Sequence, residues 1–184
     1  IRWHGRGGQG AVTAAKVLAE SALSQGKHIQ AFPEYGPERM GAPIRSFTRI
    51  SDDLINIHSH VTNPEIVAVL DPTLLEIIDV TEGTDENAVI IINTALSPNE
   101  IRQNLKIKGK KIFTIDATSI SLKEIGRNIP NTPMIGALIK ATDIMKLEVV
   151  LEDFKNKYSG KFKQEVIDGN LKAIQRAYDE VKSE

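Results

Sequence analysis

IRWHGRGGQGAVTAAKVLAESAL, residues 1–23, runs from a short mixed apolar–polar segment straight into a glycine cluster and then into a helical pattern. Residues 5–10 hold four glycines, Gly5, Gly7, Gly8 and Gly10, around Arg6 and Gln9. After them Val12, Ala15, Leu18, Ala19, Ala22 and Leu23 recur at helical spacing, and Gly26 stands where a helix C-cap glycine belongs. "HIQAF", residues 28–32, reads as a second strand closed by Pro33. The opening is therefore a strand–loop–helix–strand unit with its glycines at the first turn. The spacing Gly5-x-Gly7-x-x-Gly10 fits the dinucleotide fingerprint. It also fits a turn required by packing, and best of all a contact with an anion or a partner chain at the positive end of a helix.

Working outward, "APIRSFTRISD" (42–52) and "LINIHSH" (54–60) both alternate, with Ser51-Asp52-Asp53 as a turn signal between them. They are expected to form a β-hairpin inserted after the second strand, with His58 and His60 on one face of its second arm. "EIVAVLD", "AVIIINT" and "KKIFTID" are three apolar runs of the kind found in parallel strands buried on both faces. Helices are expected between them, over roughly 72–81, 98–105 and 122–126. "MIGALIKATDIM" (134–145) reads as a buried helix. Ile167, Leu171, Ile174, Tyr178 and Val181 form one apolar seam on a last helix, expected to dock on its own domain. The sum is one α/β domain over residues 1–184, a mostly parallel sheet flanked by helices.

Composition narrows the chemistry. Of 184 residues 41% are hydrophobic and 26% charged, with a net charge of −1, so no global field draws the chain to nucleic acid or anionic lipid. No apolar stretch approaches the ~18 residues of a membrane span. There is no cysteine, which removes disulfides, thiolate catalysis and cysteine-ligated clusters from this chain, and fits a cytoplasmic setting. The chain begins in mid-strand without an initiator Met, so a few native residues are expected upstream.

Two loops and two acids carry what chemistry is legible. "PEYGPERMGAP" (33–43) sets three prolines and two glycines around Glu34, Tyr35, Glu38 and Arg39, a loop built for one shape at a strand's carboxyl end. Glu34 is the one candidate for the ribose-reading acid of a dinucleotide site. Asp71 and Asp116 end apolar strands and are expected to cap the segments that follow. No nucleophile–base pair, P-loop lysine or paired-carboxylate arrangement is present.

"GRGGQGAVTAAKVLAESAL", "FPEYGPERMGAP" with "FTRI", and "VLDPTLL" together resemble the gamma subunits of the 2-oxoacid:ferredoxin oxidoreductases, and most the pyruvate-specific type. In the second loop Arg39-Met40-Gly41 departs from the Arg-Gly-Gly or Arg-Arg-Gly common in that family. The resemblance implies a Rossmann-like domain that belongs to a larger complex with alpha, beta and delta subunits. It implies that thiamine diphosphate, Mg2+ and iron–sulfur clusters sit on the other chains, that coenzyme A is the co-substrate, and that ferredoxin takes the electrons. On that footing Gly5, Arg6, Gly7, Gly8, Gln9, Gly10, Glu34, Tyr35, Glu38 and Arg39 are the residues expected to meet coenzyme A or a partner chain. No residue of this chain is expected to be catalytic or to hold a metal.

Overall fold

The computed structural model describes residues 1–34, 41–105, 107 and 110–184. Among the described residues seven strands form one sheet: β1 (Arg2–Arg6), β2 (His28–Pro33), β3 (Pro43–Ser51), β4 (Ile66–Val69), β5 (Val89–Asn93), β6 (Lys111–Ile115) and β7 (Lys182–Ser183). Their order is β2-β3-β1-β4-β5-β6-β7. The described residues also form six α-helices: α1 (Ala11–Ser24), α2 (Pro98–Leu105), α3 (Ala117–Glu124), α4 (Asn131–Thr142), α5 (Leu147–Tyr158) and α6 (Gln164–Glu180). The pairings β1–β4, β4–β5 and β5–β6 are parallel, while β2–β3, β3–β1 and β6–β7 are antiparallel. The sheet is thus parallel at its centre and antiparallel at both edges.

The apolar runs behave as two-sided strands do. Alternate residues Ala68, Leu70, Ile91 and Ile115 join Trp3 in a core under α1, α4, α5 and α6. Val67, Val69, Ile90, Ile92 and Ile112 point the other way, against Val80, Ile101 and Ile107. Each such side chain taken from water stabilises the fold by about 1.5–3 kcal/mol. Trp3 ties the edge of the first core together: its Nε1 donates to Thr48 Oγ1 at 3.0 Å, and that hydroxyl donates to the Ala15 carbonyl at 3.1 Å. Helix α1 is thereby bolted to β3 as well as to β1.

The expected hairpin of 42–52 with 54–60 does not form; the hairpin present joins β2 to β3. β3 pairs with β2, His28 opposite Ser51 and Pro33 opposite Ser46, and lies between β2 and β1. Residues 54–60 are not a strand, although they alternate. Leu54 and Ile57 there remain 69% and 58% exposed, so no apolar face draws the segment into the sheet. His58 and His60 accordingly share no strand face. His60 folds back instead, stacking on Phe47 at 5.4 Å between ring centres. Arg49 holds it there by donating to the carbonyls of Ser59 (2.7 Å) and His60 (3.3 Å).

The helix after Asp71 is a single 3-10 turn, Pro72–Glu76, rather than a helix to residue 81. Helix α2 occupies 98–105 as expected, entered through a capping box: Ser97 N donates to Glu100 Oε2 at 2.7 Å. Helix α3 begins at Ala117, earlier than expected, because Asp116 accepts from Ser119 N at 2.9 Å. The seam of α6 docks on this domain: Ile167 and Ile174 are buried together with Ala173 and Ala177, while Leu171, Tyr178 and, just past the helix, Val181 are half-buried against the same core.

Candidate functional site

The glycine loop leaves β1 at Arg6 and enters α1 at Gly10. Gly8 (φ +97°) and Gly10 (φ +82°) both take left-handed backbone that favours glycine. At Gly10 space matters as well, since a Cβ there would stand 2.6 Å from Asn131 Nδ2 at the start of α4. Neither α1 nor α4 carries a side-chain cap at its N-terminus. At the α1 end the backbone N–H groups of Ala11, Val12 and Thr13 lie beyond the reach of intrahelical acceptors, whereas at the α4 end Thr132 N already donates to Asn131 Oδ1 (2.9 Å) and Pro133 has no N–H. The α1 end is an electrostatic environment for an anion.

Around this turn runs a chain of side-chain bonds that the sequence did not foreshadow. Gln9 Oε1 accepts from Arg6 N at 2.8 Å, and Gln9 Nε2 donates to Asp71 Oδ2 at 2.6 Å. Asp71 Oδ1 accepts from both the backbone N (3.0 Å) and the hydroxyl (2.6 Å) of Thr73. The Thr73 oxygen in turn accepts from Arg6 Nε (3.2 Å) and Nη2 (2.8 Å). Arg6 Nη1 donates to the Gly41 carbonyl at 3.1 Å, at the point where the second loop returns to β3. Arg6 Nε also lies 3.4 Å from Asp71 Oδ2. Asp71 caps the 3-10 turn, as expected, and anchors the glycine loop in addition. Of the second loop, Tyr35, Glu38 and Arg39 lie outside the described residues.

Glu34 directly follows β2, where a dinucleotide site would want its acid, but β3 has been inserted between β2 and β1. The carboxylate therefore stands one strand, about 4.8 Å, further from the glycine loop than a plain nucleotide unit places it. It is also spent on Arg45, whose Nη2 donates to Oε1 at 2.7 Å. The pair lies at the rim of a cleft of about 440 Å3 with Arg2, Phe47, His60 and Thr62. Beneath it, buried Arg2 donates to the carbonyls of Val80 (2.9 Å) and Glu82 (2.7 Å) and, through Nε, to His4 Nε2 (3.0 Å). Burial, reinforced by the charges of Arg2 and Arg45, drives the His4 pKa down to about 3. The imidazole is neutral with its proton on Nδ1, a hydrogen-bonding role and not an acid–base one.

With the fold and these loops in view, comparison with known proteins is decisive. Residues 1–180 match the model of the pyruvate ferredoxin/flavodoxin oxidoreductase family. The chain belongs to that family. It is 50% identical over 182 residues to a pyruvate synthase subunit PorC of Thermotoga maritima, covering 99% of this chain and 94% of that one. It is 47% identical over 179 residues to a common gamma subunit of pyruvate/ketoisovalerate oxidoreductases of Pyrococcus abyssi, covering 97% of this chain and 95% of the other. The crystal structure of the pyruvate oxidoreductase subunit PORC of Thermotoga maritima superposes with a TM-score of 0.88 at 46% identity, covering 100% of this chain and 96% of that one.

Family membership raises the question of iron–sulfur clusters, and the donors of this chain do not fit them. The chain has no thiolate to ligate iron. Among the described residues no three His, Asp or Glu side chains converge on a metal-sized site. Sequence reasoning missed Thr73, Asn93 and Asn131. Asn93, buried at the end of β5, donates to the Leu70 carbonyl (2.8 Å) and Thr118 Oγ1 (2.9 Å), tying together the carboxyl ends of β4, β5 and the start of α3. An asparagine closing an apolar strand in "VIIINT" was the available signal, since such a residue is buried only when satisfied.

Proposed function

We propose that this chain is the gamma subunit of a cytoplasmic complex that breaks the carboxyl carbon–carbon bond of pyruvate, releases carbon dioxide, transfers the acetyl group to coenzyme A and passes two electrons, one at a time, to ferredoxin. The observation that carries the reading is end-to-end identity of 50% with a subunit named for pyruvate synthase. The thiamine diphosphate, Mg2+ and clusters belong to alpha, beta and delta partners. A gamma subunit common to pyruvate and ketoisovalerate oxidoreductases, as in the Pyrococcus abyssi relative, fits a chain that does not itself choose the 2-oxoacid.

Within that complex the glycine loop, residues 5–10, and Arg6 are assigned to coenzyme A. The N-terminus of α1 suits its phosphates, and the Arg6 guanidinium lies at the same loop, partly exposed. Tyr35, Glu38 and Arg39, with Glu34, are assigned on the family resemblance to contact with coenzyme A or a partner chain. A stand-alone NAD(P) or FAD enzyme is disfavoured by the place of Glu34, one strand too far out and paired with Arg45.

Purification of the complex on a tagged copy of this chain tests the main assignment. Pyruvate- and coenzyme A-dependent reduction of ferredoxin is the expected result, and a solitary chain that binds NAD(P) or FAD instead refutes it. For the site, Arg6→Ala in the assembled complex is expected to raise the KM for coenzyme A by about tenfold, the size of one charge-assisted contact, while the KM for pyruvate stays put. An unchanged coenzyme A KM removes Arg6 from the site.

A further inference from the structure

The Asp71 carboxylate accepts hydrogen bonds and cannot donate them, so every group that touches it must donate. Burial opposes its ionisation, but the bonds from Thr73 and Gln9 and the charge of Arg6 outweigh that, and its pKa is lowered. Two chains of bonds take their direction from it. Because the Thr73 hydroxyl donates to Oδ1, its lone pairs face the Arg6 guanidinium. Because the Gln9 amide donates to Oδ2, its carbonyl oxygen is turned toward the backbone N–H of Arg6. One chain therefore holds the Arg6 side chain and the other holds the loop backbone. Through Arg6 Nη1 the return of the second loop at Gly41 is referred to the same carboxylate.

We propose that Asp71 is a positioning residue that sets the complex's affinity for coenzyme A, without touching it, by dictating the donor–acceptor direction of the Gln9 and Thr73 bonds that hold Arg6 and the glycine loop. The proposal rests on the assignment of Arg6 and that loop to coenzyme A. Its chemistry makes a specific demand. In Asp71→Asn the new NH2 meets the Gln9 NH2, donor against donor. Flipping the Gln9 amide turns its NH2 onto the Arg6 N–H, and flipping the introduced amide turns its NH2 onto Thr73 N, so one bond is lost in every orientation. The double variant Asp71→Asn with Gln9→Glu reverses the polarity as a unit. The amide at position 71 then donates to the carboxylate at position 9, whose other oxygen still accepts from Arg6 N, at unchanged net charge and nearly unchanged volume.

The test is carried out on the assembled complex, by pyruvate-dependent ferredoxin reduction against coenzyme A concentration. Asp71→Asn is expected to raise the coenzyme A KM by about tenfold with kcat within about twofold, and to speed hydrogen exchange at the Arg6 amide in the complex without coenzyme A. Because Gln9 itself belongs to the loop, the double variant is read by hydrogen exchange alone, and the Arg6 amide is expected to return to within about threefold of its parental rate. A parental KM in Asp71→Asn, or no recovery in the double variant, overturns the proposal while Arg6→Ala still reports on the site. If Arg6→Ala also leaves the coenzyme A KM unchanged, the assignment of the loop fails and the role of Asp71 fails with it. Should Asp71→Asn not assemble, Thr73→Val decides instead by cutting the hydroxyl that links Asp71 to Arg6: a coenzyme A KM raised about tenfold supports the proposal, and a parental KM refutes it.

Discussion

Gly136→Ala is expected to lower the melting temperature of the chain by about 10 °C, from a destabilisation of about 3 kcal/mol. Gly136 lies in the middle of α4, where α6 crosses it closely enough that a Cβ would be driven into the carbonyl oxygen of Ile174. The obstacle is helix backbone, which has no rotamer to change, so relief requires the whole of α6 to move. That movement would open the core on Ile174, Ala173 and Ala177, all completely buried. Gly160→Ala is the control. Its φ of +74° strains an alanine, but nothing lies near the added methyl, and the cost is about 1 kcal/mol. Thermal unfolding of the two variants separates the effects. Equal melting temperatures would show that the α4–α6 crossing tolerates a methyl group and that the packing argument is wrong.

The second large effect is a pH dependence rooted in β1. His4 has a folded pKa of about 3 against an ordinary 6.5, so the unfolded chain takes up a proton that the folded chain refuses. Its contribution is fully present above pH 6.5 and is lost as pH falls toward 3, at about 1.4 kcal/mol per pH unit. Between pH 6.5 and 5 the loss from this residue is about 2 kcal/mol. His4→Gln removes the titrating group and keeps an acceptor for Arg2 Nε. Denaturant titrations of parent and variant across that window are expected to converge as pH falls, because only the parent loses stability through residue 4. Parallel stability curves would place the His4 proton equilibrium elsewhere.

How far the sequence could be read depends on the range of the interaction being read. Helix α1 and its glycine entry were legible because helical periodicity and left-handed glycine are local properties of neighbouring residues. β4, β5 and β6 were legible because a strand buried on both faces must be apolar throughout. Helix α2 was placed to the residue. Helix α5 was not identified, although Leu147, Val150 and Phe154 line its buried side, since Lys and Glu between them mask a three-turn pattern. The alternation in 54–60 had the period of a strand, but a strand also needs a partner edge, and β2 had already taken the free edge of β3.

The site divides in the same way. Gly5 to Gly10 and Glu34 were marked by local chemistry, and the two loops do meet, through Arg6 and Gly41. Asp71 read as a cap because capping is a bond to the next turn. Its bond to Gln9 spans 62 residues of chain and has no local signature. Sequence alone determined that this is a cysteine-free α/β chain with a glycine turn at its first strand and two related loops, and hence its family resemblance. Tertiary structure alone decided that β3 slips between β1 and β2, which moves Glu34 away from a dinucleotide's ribose. It alone decided that Asp71 polarises the loop's hydrogen bonds. Strand order and side-chain bonds between distant segments are set by the competition of all edges and donors in the folded chain, and no window of sequence contains that competition.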